Sequence, residues 1–196
     1  MKSALALVCT VFLAHIGSGV SHAQPAAEPA PARSTPAGRH GLFATLGVWG
    51  GNISCDGMDC GGFREAGGLG LQVGYMVTPK LGVLADVWGM TSSQNDVSIT
   101  FVTATLNVRY WLAPVIWVQG GVGTGHARIS WGPFSGASDD VAVGAVSAGI
   151  ELVRGRRWAV DLAAKLAQGS STDVEGDEVQ TGRSTGVGVS FVGFVN

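Results

Sequence analysis

Residues 69–88 read LGLQVGYMVTPKLGVLADVW. Leu69, Leu71, Val73, Tyr75 and Val77 share one parity, and Gly70, Gln72, Gly74 and Met76 share the other. Apolar residues at period two mark a β-strand, and the resumption of the pattern after Thr78, Pro79 and Lys80 marks a hairpin. Which medium the oily parity meets decides the fold. A soluble sheet turns that face inward, whereas a barrel in lipid turns it outward.

Beyond this hairpin the alternation recurs. Eight segments carry it, at approximately 41–50, 63–77, 81–91, 99–112, 115–127, 141–153, 157–167 and 184–195. Most reach the roughly 9 to 11 residues that a tilted strand needs to cross a bilayer. In the fourth, Val102, Ala104, Leu106, Val108, Tyr110 and Leu112 oppose Thr103, Thr105, Asn107, Arg109 and Trp111. In the seventh, Trp158, Val160, Leu162, Ala164 and Leu166 oppose Arg157, Asp161 and Lys165. Short connections (TPK, AP and RGR) take turns with long polar ones (GNISCDGMDCGG, SSQND, SWGPFSGASDD and QGSSTDVEGDEVQTG). Strict turn-taking puts all tight turns on one rim and all loops on the other. With eight strands both termini share the tight-turn rim, which in outer-membrane barrels is periplasmic.

Composition agrees with strands in lipid. The 196 residues are 46% hydrophobic and only 13% charged, yet after the start no apolar run approaches the roughly 18 residues of a transmembrane helix. A net charge of -2 gives no basic surface for nucleic acid. Residues 1–23 form a signal peptide: Lys2 begins it, an apolar core runs from Ala4 to about Ala14, and Ser21 and Ala23 set a cleavage site after Ala23. Residues 24–39, with Pro25, Pro29, Pro31 and Pro36, are expected to be a Pro/Ala-rich periplasmic tether. Residues 40–196 are the expected barrel.

Were the oily parity inward, a dry core would have to be matched by a polar exterior. The polar parity, however, is mainly Gly, Ala, Ser, Thr, Asn and Gln, and the oily one is continuous over eight strands, larger than water tolerates. The expected fold is therefore all-β, an eight-stranded antiparallel up-and-down transmembrane β-barrel. Tyr75, Tyr110 and Trp158 are expected in an aromatic girdle near the tight turns, with Trp111 and Trp117 inward. Phe63, Phe101, Trp131 and Phe134 are candidates for the second girdle. Arginine is expected to cost more at Leu71 than at the inward Gly70.

GLFATLGVWGG as a first strand, the YMVTPKLGV hairpin and the closing GVGVSFVGFVN resemble the small eight-stranded outer-membrane barrels of the OmpA and OmpX type. The resemblance covers about residues 40 to 196 and rests on architecture. It implies an outer-membrane location and assembly by the barrel-assembly machinery, although such proteins commonly end on an aromatic and this chain ends Phe194, Val195, Asn196.

Inside the expected barrel, Asp86, Arg109, Glu151 and Asp161 fall at comparable heights with inward parity. Gln72, Asn107 and Gln119 join them, with Lys165 higher. Arg109 is the expected hub of this lumen polar network, coupled first to Asp86 on the adjacent strand. Inward glycines such as Gly68, Gly70, Gly121 and Gly123 keep a small pore as an alternative. Gly121, Gly123 and Gly125 are read as sites where backbone or a bulky neighbour approaches.

Chemistry is sparse. His126 has Ser130, Asp139 and Asp140 nearby in sequence, but GHARIS lacks the His-x-Ser arrangement of lipid A deacylases, and a rim histidine is the expected role. Asp173, Glu175, Asp177 and Glu178 form an acidic loop without EF-hand spacing. Cys55 and Cys60, in a long loop of an exported chain, are expected to form a disulfide. No catalytic residue, cofactor or metal is expected. The function expected is structural, adhesive or surface-interacting through extracellular loops, with outer-membrane lipids and lipopolysaccharide as partners and an extracellular ligand on the loops. A lipid A-modifying enzyme or a small pore is the alternative.

Overall fold

The computed structural model describes residues 39–56, 64–94, 97–131, 133–137, 140–172 and 179–195. Eight long strands appear: β1 (Gly41–Asp56), β2 (Arg64–Thr78), β3 (Leu81–Gln94), β4 (Val97–Trp111), β5 (Ile116–Trp131), β7 (Val141–Arg154), β8 (Trp158–Thr172) and β9 (Val179–Val195). A short β6 (Phe134–Ala137) hairpins onto the end of β5. Each long strand pairs antiparallel with its neighbours, and β1 pairs with β9 from Leu42 opposite Val195 to Asp56 opposite Thr181. The sheet closes on itself, which leaves no edge along the bilayer.

The outward face is the oily one. Leu69, Leu71, Val73, Tyr75 and Val77 are all more than half exposed, while Gln72 and Met76 are buried. On β4 the apolar parity runs from Val102 to Leu112, which at about 3.3 Å per residue and a tilt of about 40° spans about 25 Å. That is the height of a lipid-facing belt. Tyr75, Tyr110 and Trp158 lie exposed beside the tight turns, and Trp111 and Trp117 are buried.

The strands run further than the alternation indicates. β1, β5 and β8 continue past approximate ends at 50, 127 and 167 to Asp56, Trp131 and Thr172. They outlast the apolar belt because the backbone ladder persists after the outward residues turn polar. The sequence SWGPFSGASDD, expected as loop, contains β6. Phe101, a girdle candidate, is instead 4% exposed inside the barrel, because its odd parity on β4 is that of Thr103 and Thr105. Phe134 is exposed at the rim. Phe63, the acidic loop at 173–178, Cys60 and the Cys55 side chain lie outside the described residues, and with them the expected disulfide.

The inward glycines make room for inward aromatics. A Cβ on Gly70 would stand 2.8 Å from Trp49 Nε1, and one on Gly188 would meet the Trp49 ring at 2.5 Å. At Gly123 a Cβ would run into the Ala104 carbonyl of the neighbouring strand. These positions are filled space, so they argue against an opening. The expected ranking for arginine substitutions therefore changes. Leu106→Arg, at a side chain 64% exposed to lipid, is expected to cost about 2 to 4 kcal/mol in liposome unfolding titrations. Gly70→Arg is expected to cost at least as much, since Trp49 and Trp88 occupy its space.

Candidate functional site

Neighbouring inward positions build the lumen in three tiers. Toward the tight turns lie Phe43, Met76, Leu84, Trp111 and Val192, all buried and apolar. Toward the loops lie Trp49, Ile53, Trp88, Met90, Phe101 and Val143, with Trp49 and Trp88 edge to face at 5.8 Å. Between them sits the polar tier. From the sequence the inward parity reads as mainly small or polar, with Trp111 and Trp117 as inward aromatics. β1 contributes Phe43, Trp49 and Ile53 and β3 contributes Leu84, Trp88 and Met90, but β2, β7 and β9 contribute one each, so the tiers show only once the strands are assembled.

Asp86, Arg109, Glu151, Asp161, Lys165, Gln72, Asn107 and Gln119 are all buried in that tier. Their partners differ from the expected scheme. Lys165 Nζ lies 2.5 Å from Asp86 Oδ2, its long stem reaching the carboxylate expected for Arg109. Gln119 Nε2 also donates to Asp86 Oδ2 at 3.3 Å. Arg109 donates from Nε to Gln119 Oε1 at 3.0 Å and from Nη2 to Gln72 Oε1, both neutral amides. Its guanidinium stands 4.1 Å from the Trp117 ring centroid. Asp161 accepts from Trp117 Nε1 at 3.0 Å, and Asn107 donates to Thr105 Oγ1 at 2.7 Å. Gln119 thus links the Arg109 group to the Asp86–Lys165 pair.

A residue outside the expected network completes it. Arg39, placed by sequence at the end of the tether, is 8% exposed, with its guanidinium inside the tight-turn mouth. Its Nη2 lies 2.7 Å from Glu151 Oε1 and donates to the Pro114 carbonyl at 2.6 Å, while Nε donates to the same Oε1 at 3.1 Å. Trp111 Nε1 donates to that oxygen at 3.1 Å, and its ring lies 4.5 Å below the guanidinium. Burial lowers the pKa of Arg39 from its ordinary value, and the hydrogen bond and charge of Glu151 oppose that shift. Gly41, at a φ of 82°, allows the entry into β1 just beyond this anchor. Three buried cations (Arg39, Arg109, Lys165) meet three buried carboxylates (Asp86, Glu151, Asp161). In sequence, Arg39 looked like a tether residue because its neighbours are Ala, Gly and Pro.

Arg39→Ala is expected to lower barrel stability by about 2 kcal/mol, since it strands a buried carboxylate that Trp111 and Arg154, 3.6 Å away, only partly satisfy. Urea unfolding in liposomes, compared with Arg39→Lys, checks this. Recovery of more than half the loss by lysine would show that charge matters more than the planar fork.

The tiers crowd the lumen without filling it: a recess of about 660 Å³ lies beside Gly51, Gln119, Ser147, Lys165 and Gly186. The cavity bounded by Thr45, Trp49, Asp86, Arg109 and Lys165 amounts to about 10 Å³, enough for about one water. At the other rim, His126 Nδ1 lies 3.9 Å from Asp140 Oδ1 with both side chains exposed, a geometry of little energetic worth. Ser130 lies four residues further along β5, about 13 Å at strand rise. No His–Ser hydrogen bond spans that distance.

No protein-family model matches the chain, and no curated protein matches it in sequence. Solved structures do. Neisserial surface protein A superposes with a TM-score of 0.65 at 11% identity, over 79% of this chain and 97% of that one. Ail, the attachment invasion locus protein of Yersinia pestis, superposes with a TM-score of 0.53 at 14% identity, over 79% of this chain and 99% of that one. Ail in complex with the heparin analogue sucrose octasulfate gives 0.51 at 15%, with the same coverage. The fold is that of the small eight-stranded outer-membrane β-barrels.

Proposed function

We propose that this chain is an exported outer-membrane protein, with both barrel termini periplasmic, that acts as a surface-interaction or adhesion protein through its extracellular rim. The observation that carries this reading is the division of labour along the strands. Three tiers of buried side chains cross the lumen, while β1, β3, β4, β5 and β8 continue beyond the apolar belt and present polar residues outward. Buried side chains crossing the lumen, from Phe43 and Trp111 to Trp49 and Trp88, do not favour open conduction, and the separation of His126 from Ser130 does not favour acyl hydrolysis. Lipopolysaccharide surrounds such a rim, and the barrel-assembly machinery would insert it. Two similar structures bear the names of a surface protein and an attachment protein, which supports the same class.

Cells displaying the chain are compared with cells displaying a variant whose β5–β7 connection, residues 132–140, is replaced by a short Gly-Ser turn. Adherence to immobilised matrix glycans and fixed epithelial cells above the empty-vector level, lost in the variant, is the expected result. Adherence equal to the vector, together with steady single-channel current in planar bilayers or altered lipid A masses, would replace this reading with the pore or the enzyme.

A further inference from the structure

Above the apolar belt, β3, β4, β5 and β6 form a panel whose outward residues line up in cross-strand rows. Val87, Ala104 and Thr124 form one row, followed by Gly89, Val102 and His126. Next come Thr91, Thr100 and Arg128, and then Ser93, Ser98, Ser130 and Ser135. The outward face thus changes from apolar to hydroxyl-bearing within two rows on adjacent strands. Thr91 and Thr100 hydroxyls lie 3.1 Å apart, and Ser93 donates to Ser98 at 3.2 Å. Arg128 stands exposed in the middle and forms no ion pair among the described residues. Asp140 faces His126. On the far side of the barrel, Arg183 lies between Ser54 and Gln168, and the next row there is Asp56, Thr181 and Ser170.

We propose that this panel is a docking surface for the phosphorylated glucosamine headgroup of the outer-leaflet glycolipid. The vertical order of the panel matches the amphipathic order of that molecule. Acyl chains lie against Val87, Leu106 and Val102, a phosphate lies at the level of Arg128, and sugar hydroxyls meet the serine row. A guanidinium fork donates to two phosphate oxygens at once, and the belt edge sets the depth at which it does so. Flanking hydroxyls serve as donors or acceptors to either sugar or phosphate. The proposal rests on the outer-membrane reading given above and adds a defined lipid site to it.

The test uses the full barrel in phosphatidylcholine nanodiscs, titrated with bisphosphorylated lipid A, with the same lipid stripped of its phosphates, and with inorganic phosphate alone. Lipid binding is read as the shift in melting midpoint, and heat-modifiable gel mobility confirms that each variant is folded. Bisphosphorylated lipid A is expected to bind best, with roughly tenfold loss in Arg128→Gln and a smaller loss in Arg128→Lys, which keeps the charge but not the fork. Arg157→Gln, the same charge change at the tight-turn rim, is expected to leave binding unchanged. Equal binding of the dephosphorylated lipid, or equal losses in Arg128→Gln and Arg157→Gln, would overturn the site. If the lipid experiment fails while loop-dependent adherence persists, the lipid site alone is lost and the functional reading stands.

Discussion

Lys165→Leu is expected to lower the unfolding free energy of the barrel by about 3 to 5 kcal/mol, because it leaves a buried carboxylate without its cation. Asp86 is 1% exposed, its Oδ2 lies 2.5 Å from Lys165 Nζ, and its other oxygen has no hydrogen-bond partner. Gln119 alone, at 3.3 Å, cannot neutralise it. The ammonium also stands 4.7 Å from the Trp88 ring, so a leucine there loses a charge contact but keeps an apolar neighbour. For that reason the double variant Lys165→Leu/Asp86→Leu is expected to regain most of the loss, since a well-packed apolar pair removes both charges together. Urea titrations in liposomes measure both. Additive losses in the double variant would mean that the two residues act independently.

The strand plan was legible because it is local. Leu69 to Val77 alternate within one strand, TPK marks the turn, and parity alone places Trp111 and Trp117 inside. Parity also contained the answer for Phe101, which shares the face of Thr103. The side-chain partners were not legible. Lys165 and Asp86 are 79 positions apart, and Arg39 and Glu151 are 112 apart. Their meeting depends on the stagger with which β1 closes on β9, and no segment of sequence contains that stagger. Side-chain length mattered as well: height along the strand placed Lys165 above the polar tier, and its four-carbon stem brings the charge back down into it.

The tiers explain why the charges remain paired rather than hydrated. Apolar side chains above and below, Trp49 and Trp88 on one side and Phe43, Met76 and Leu84 on the other, limit water at the middle of the lumen. In such surroundings each charge is retained only with a nearby opposite charge or several dipoles. Arg39 extends that scheme to the mouth, which makes the end of the presumed tether part of the barrel's interior.

Arg109→Leu is expected to cost about 3 to 5 kcal/mol for a different reason from Lys165→Leu. Arg109 makes no direct carboxylate contact: its hydrogen bonds go to Gln119 and Gln72, and its charge lies over Trp117. It shares Trp117 with Asp161, whose Oδ1 has no hydrogen-bond partner and whose Oδ2 accepts from the Trp117 indole. Removing the guanidinium frees two buried amide oxygens and takes away the positive charge that lies over Trp117, the indole bonded to Asp161. Asp161→Asn should therefore be destabilising by itself but markedly less so in the Arg109→Leu background, where that cation is gone. A coupling of about 1 to 3 kcal/mol in that double-mutant cycle is the expected result. If instead Arg109 couples to Asp86 and not to Asp161, the hub first read from sequence governs the lumen after all, and Lys165 becomes the secondary partner of Asp86.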